Sequence, residues 1–230
     1  MQKFYLFLIF ILMPFFSVAA GMLPETSIVL LHEEAGVSSI LLENTDDQPL
    51  LLYSNIQNLP EDGDEAPLVM LSPPMVRVEE GERQQVRFAL QLKQPLQVQR
   101  LKRVLFEGIP LKQKNDKNKI DISVRQNLPL IIHPRGLPKN PEPWKLLKWS
   151  LSEGQLSVEN NSPYVVRMAE VVNIQPQGTA VQLGRSYVLP GQKLSFPVAD
   201  AGAEAVRLYP ATLYGFSVDS YDAPLTAKAG

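Results

Sequence analysis

The sequence predicts an all-β fold, on three observations. The 230-residue chain carries 20 prolines and 13 glycines, and its apolar segments are mostly short, which suits strands joined by turns. Charged and glycine-bearing clusters such as His32-Glu33-Glu34-Ala35-Gly36 separate those segments. The longest patterned stretch has a period of two: Ile120, Ile122, Val124, Gln126, Leu128, Leu130 and Ile132 fall on one face of an extended chain, and Asp121, Ser123, Arg125 and Asn127 begin the other.

That stretch contains Pro129, which has no amide proton and cannot sit in a strand paired on both sides. The strand is therefore expected at a sheet edge, at least there. An apolar edge invites aggregation unless it is covered. Either something covers it or pairing with another chain is its purpose. On this pattern alone an ordinary core strand interrupted at a bulge remains open.

Residues 1–20 read as a secretory signal peptide. Lys3 precedes an apolar run from Phe4 to Phe16, broken by Pro14, and Ser17-Val18-Ala19-Ala20 leads to Gly21. The run is short for a bilayer span, and none is expected in the mature protein. About 210 residues then remain, enough for two domains of ~100 residues. The formal net charge of −2 becomes −3 without Lys3, which gives no electrostatic case for nucleic acid. There are no cysteines, so thiolate metal sites and cysteine nucleophiles are excluded.

Three short strands open the mature chain, over Ser27–Leu31, Val37–Leu42 and Leu50–Ile56. The acidic loop Glu61-Asp62-Gly63-Asp64-Glu65 lacks the spacing of a calcium loop and reads as a solvated turn. Met75–Val78 and Gln85–Leu90, joined through Gly81, fit a hairpin. Leu101–Phe106 is a further strand. Lys112, Lys114, Lys117 and Lys119 then form a basic loop without aromatic interleaving, read as a solvated tip that delivers the chain to Ile120.

From His133 to Pro143 there are four prolines in eleven residues, a stiff connection, with 135–143 as the linker between domains at 21–134 and 144–230. Trp144 and Trp149 are expected as core anchors. Further strands are expected at Leu156–Glu159, Tyr164–Ala169, Ala180–Leu183, Arg185–Leu189, Lys193–Val198, Ala205–Tyr209 and Thr212–Val218. The second domain also reads as a sandwich. No catalytic motif emerges: His32 and His133 lie far apart in this topology, and phosphate-loop, nucleophile-elbow and zinc-protease patterns are missing. Paired carboxylates alone do not make a glycosidase. No enzyme, metal or cofactor is expected.

The signal peptide, the two sandwiches in series, Pro73-Pro74-Met75-Val76-Arg77-Val78 leading to Gly81 and Val86-Arg87-Phe88, and Asn161-Ser162-Pro163-Tyr164 together resemble the periplasmic pilus chaperones of the chaperone/usher pathway. The resemblance implies two immunoglobulin-like domains set at an angle around a cleft. It also implies donor-strand complementation: the chaperone lends a strand to a pilus subunit that lacks its last one, then passes the subunit to an outer-membrane usher. The lent strand would insert Ile120, Ile122 and Val124, while Leu128, Leu130 and Ile132 complete the chaperone's own core. Self-capping of the free strand by dimerisation is compatible with it.

Two departures from the family pattern stand out. Its usual arginine and lysine, which grip the subunit's terminal carboxylate, align with Ser27 and Pro129, so Arg125 and Arg135 are the candidate replacements. The family's arginine before the linker proline aligns with His133, and its acidic partner with Ser220, between Asp219 and Asp222. The rival reading is an exported two-sandwich structural or adhesive protein whose long strand is permanently core.

Overall fold

The computed structural model describes residues 21–61, 67–111, 123–198, 202–213, 215–216 and 218–226. The expected signal peptide, the acidic residues 62–65, the basic loop, Ile120 and Ile122 lie outside the described residues.

The first sandwich comprises β1 (Met22–Pro24), β2 (Val29–His32), β3 (Val37–Asn44), β4 (Leu50–Gln57), β5 (Val69–Ser72), β6 (Met75–Val78), β7 (Arg83–Leu90), β8 (Arg100–Pro110) and β9 (Arg125–His133). These strands form sheets of order β1-β3-β7-β5 and β2-β9-β8-β4-β6. Alternation sends every second side chain inward. Ile40, Leu42, Leu50, Leu52, Val86, Phe88, Val104 and Phe106 thus share one core with Leu128, Leu130 and Ile132 of β9. The opening segment changes sheets: β1 pairs antiparallel with β3, and β2 pairs parallel with β9.

The expected hairpin is corrected. β6 pairs with β4 in one sheet and β7 with β3 and β5 in the other, so the turn through Gly81 crosses between sheets. Period-two alternation is identical in a hairpin and in such a corner, and the deciding contacts come from elsewhere in the chain. The fully buried Asn44 donates through Nδ2 to the carbonyls of Gln48 (2.9 Å), Val78 (3.1 Å) and Glu79 (3.1 Å). Its backbone meets Glu82 O and Gly81 N, the latter residue held at φ +69°.

The second sandwich begins with a 3-10 turn at Pro143–Leu146. It continues through β10 (Lys148–Ser152), β11 (Gln155–Glu159), β12 (Val166–Met168), β13 (Val171–Gln175), β14 (Thr179–Gln182), β15 (Tyr187–Val188), β16 (Lys193–Pro197), β17 (Ala205–Leu208), β18 (Pro210–Ala211) and β19 (Tyr221–Pro224). Its sheets run β10-β11-β16, β15-β12-β18 and β14-β13-β17-β19. Trp144 and Trp149 are both buried in its core, as the sequence suggests.

The strand expected over Thr212–Val218 is corrected too. Thr212 N donates to Phe216 O (2.8 Å) and Gly215 N to Thr212 O (3.0 Å), so the segment closes on itself with Gly215 at φ +84°. The sandwiches meet through an apolar cluster in which Ile28, Leu59, Leu101 and Ile131 pack on Val165 and Leu189.

Candidate functional site

The site is built along β9. Over Arg125–Pro129 its ladder partner among the described residues is β8 alone, and β2 joins on the other side only at Leu130. The strand is thus an edge up to Pro129 and interior beyond it. A residue without an amide proton stands where the second ladder begins, as expected of proline. Upstream, Val124 is 44 % exposed.

Glu107 on β8 fastens the start of the edge. Its carboxylate accepts from Ser123 Oγ (2.8 Å) and from Arg125 Nε (3.0 Å) and Nη2 (2.7 Å). The bonds from Arg125 first, and from Ser123 second, hold its pKa below the ordinary carboxylate value. Arg125 is therefore an ion-paired residue at the strand's beginning. Arg135 is exposed, and its backbone N–H donates to Glu33 Oε2 (2.8 Å). Ser27 is exposed and lies against the second sandwich: a Cβ on Gly215 would come within 2.3 Å of Ser27 Oγ.

At its other end β9 enters the junction. Ile131 is fully buried in the shared apolar cluster, and His133, two residues on, is buried as well. Gln99 carries one polar link between sandwiches. Its N–H donates to Pro163 O (2.8 Å) and its Oε1 accepts from Val165 N (2.8 Å). With Oε1 so engaged, Nε2 must be the group that meets His133 Nδ1 at 2.9 Å, which makes that ring nitrogen the acceptor. His133 Nε2 then donates to Leu137 O (2.9 Å). Asp222 is engaged elsewhere, by Arg207 Nε and Nη2 at 2.7 Å each.

Two half-buried arginines that sequence reasoning passed over lie on β8 and β12. Arg103 of β8 stands directly across from Pro129 and is half-buried. It donates through Nε to Asn127 Oδ1 (2.7 Å) and through Nη2 to Asn127 O (2.8 Å). Arg167 of β12 is half-buried between Tyr187 and Ala211 on the neighbouring strands, and its buried Nη1 has no hydrogen-bond partner among the described residues. Burial lowers the pKa of both guanidinium groups, and Arg103 lowers that of Arg167 further. Tyr187 is raised by burial and by Glu61. Glu61 is itself held by Arg185 Nη1 (2.6 Å) and by the Tyr187 hydroxyl (3.4 Å). The available signal was a charge inside an apolar alternation, Leu101-Lys102-Arg103-Val104-Leu105 and Val166-Arg167-Met168.

Comparison with known proteins agrees with this architecture. Residues 21–138 match the family model for the PapD N-terminal domain of pili and flagellar-assembly chaperones, and residues 142–220 match that of the PapD C-terminal domain. The uncharacterized fimbrial chaperone YhcA of Escherichia coli (strain K12) is 42 % identical over 216 residues, covering 94 % of this chain and 95 % of that one. Two solved structures share the fold at 18 % identity. The E. coli chaperone DraB covers 90 % of this chain and 99 % of its own with a TM-score of 0.73. The Salmonella enterica SafA pilin complex with the SafB chaperone covers 91 % and 98 % with a TM-score of 0.74. The two domain matches and the identity shared over nearly the whole chain place it in the PapD family of pilus-assembly chaperones, in keeping with its two sandwiches and the long strand open along half its edge.

Proposed function

We propose that this chaperone works in the periplasm by lending the open edge of β9, with the segment before it, to a pilus subunit, which it then hands to an outer-membrane usher. The observation that carries the reading is the one-sided pairing of β9 from Arg125 to Pro129. An unpaired edge satisfies the main chain of an added strand, and side chains on one face fill its groove. Ile120, Ile122 and Val124 are the side chains assigned to that groove. Each aliphatic group moved out of water contributes roughly 1.5–3 kcal/mol, so three give about 5–9 kcal/mol before ordering costs. Leu128, Leu130 and Ile132 stay with the chaperone's own core. Strand exchange needs no nucleotide and no bond-making chemistry, so the role is non-enzymatic. A free chaperone caps the same edge by pairing with a second copy of itself.

The test is capture from a periplasmic extract of the native host by the mature chain and by an Ile122→Asp, Val124→Asp variant with an unchanged melting curve. Mass spectrometry identifies what is retained. Pilus subunits held by the wild type and lost by the variant are the expected outcome. Equal retention by both sinks the donor-strand reading.

A further inference from the structure

Where the chain leaves the first sandwich, one imidazole ring is tied to both sandwiches and to the connection between them. His133 is 5 % exposed, and its two ring nitrogens have opposite roles. Nε2 donates to Leu137 O in the connection, and Nδ1 accepts from Gln99 Nε2, each at 2.9 Å. The Gln99 amide is not free to turn over, because its Oε1 accepts from the buried N–H of Val165 in the second sandwich at 2.8 Å. Turning it would set donor against donor there. The connection is fixed to the second sandwich as well, by the Tyr164 hydroxyl, which donates to Pro138 O at 2.8 Å. Charged groups reach this region from several elements. His32 of β2 lies opposite, with ring centroids 5.3 Å apart. In the turn after β2, Glu33 commits its carboxylate to the backbone N–H groups of Leu96 and Arg135, and Glu34 is exposed. The connection contributes the exposed Arg135 and Lys139, and β8 contributes Arg100, paired with Ile132. The second sandwich contributes Tyr164 and Val165. The ring nitrogens themselves meet an amide and a carbonyl, and neither partner is a carboxylate.

We infer that His133 and Gln99 form an acid-released latch between the two sandwiches: a proton taken up at His133 Nδ1 costs Gln99 one of its side-chain bonds and frees the second sandwich to move about the connection. A ring that already donates through Nε2 can take a second proton only at Nδ1, where the Gln99 N–H stands. Either Gln99 withdraws from the imidazolium, or its amide turns to accept from it and releases Val165 N. Both outcomes leave a buried donor without its partner. The latched form binds one proton fewer than the released form, so it prevails above the ordinary imidazole range and gives way as the pH falls below it. His32 acts in the same sense. Burial first, and His133 second, lower its pKa, and like charges on two rings this close oppose each other. The arginine that the family alignment places at position 133 keeps its charge at every physiological pH, so it is the histidine here that introduces a titration. The latch does not depend on what β9 carries, and it ties the arrangement of the sandwiches to the acidity around them.

The test uses the mature chain, in which an introduced cysteine pair is unique because the sequence has none. Nitroxide labels at the exposed positions Lys93→Cys and Gln177→Cys, one on each sandwich, report the interdomain distance distribution by double electron-electron resonance. It is recorded at about pH 7.5 and about pH 5, on either side of the ordinary imidazole range. The otherwise unmodified chain is expected to give a narrow distribution at the higher value and a broad one at the lower, reversibly, with its far-ultraviolet circular dichroism unchanged. The ratio of released to latched molecules should rise by up to about tenfold per pH unit, the limit for one proton. His133→Asn keeps an acceptor for Gln99 and cannot take the proton, so its distribution should stay narrow at both values. The native side chains supply a second measurement that needs no variant at this position: long-range proton-nitrogen correlation spectra follow His133 Nδ1, and its protonation should coincide with the broadening. A distribution that stays narrow in the native background overturns the latch. So does broadening that persists in His133→Asn, that is abolished by His32→Gln alone, that is out of step with Nδ1, or that accompanies unfolding of the sandwiches themselves.

Discussion

Asn44 and Asn160 perform the same task in the two sandwiches. Asn160 is fully buried, donates through Nδ2 to Tyr164 O (2.8 Å) and Val188 O (3.0 Å), and exchanges backbone bonds with Gly191 (2.6 Å) and Gln192 (2.9 Å), as Asn44 does with Gly81 and Glu82. Only an amide supplies two donors to the carbonyls and an acceptor to the following backbone; aspartate would set oxygen against oxygen. Alanine at either position leaves buried carbonyls without partners. Asn44→Ala and Asn160→Ala are therefore expected each to cost roughly 2–4 kcal/mol, read from the midpoint of urea unfolding. Their role was not legible beforehand. In the sequence both asparagines sit among polar turn residues, and only long-range carbonyls from Val78 and Val188 make them interior ones.

Most strands were legible because one buried face imposes a period of two, and β9 most clearly of all. β13 was not, although Val172 and Ile174 are buried and the residues between them are not, because no glycine or proline separates it from β12. The segment from Thr212 shows the opposite failure: its apolar residues suggest a strand, but Gly215 and two local hydrogen bonds fold it back. For β9 the fastening at Glu107 yields a pH dependence. Its pKa is depressed in the folded chain, so its contribution is present above the ordinary carboxylate range and is lost as the pH falls through the lowered value. Protection of the amides at the beginning of β9, relative to their intrinsic exchange at each pH, is expected to fall over that acidic range. Glu107→Gln should show the faster exchange already at neutral pH, and its protection there should no longer depend on pH.

At the scale of the whole molecule, the junction combines a small apolar cluster with two polar links, Gln99 and the Glu61 carboxylate held by Arg185 and Tyr187. Gln99→Ala removes the acceptor for Val165 N and the donor to His133 Nδ1, and is expected to cost roughly 1–3 kcal/mol. Both sandwiches should remain folded in this variant while small-angle scattering reports a broader spread of arrangements between them. His32 contributes a second dependence on acidity. Burial lowers its pKa first, His133 and Lys139 add to that, and Glu34 opposes it; the expectation that the two histidines lie far apart is corrected, because the parallel pairing of β2 with β9 sets them opposite each other with rings 5.3 Å apart. A depressed histidine favours the fold in its neutral form, so the stability it confers holds above the ordinary imidazole range and drains away on acidification. His32→Gln should flatten the fall in urea midpoint between neutral and mildly acidic pH. None of these contacts could be read from local pattern, because each joins residues distant in the chain.

The change of neighbours at Leu130 has a further consequence for any guest on β9. Because β2 occupies the remainder of that edge, any strand added along the open half has one fixed stop, at Leu130. The main chain that leads to that stop can come from many sequences, while a strand running past it meets an edge already taken.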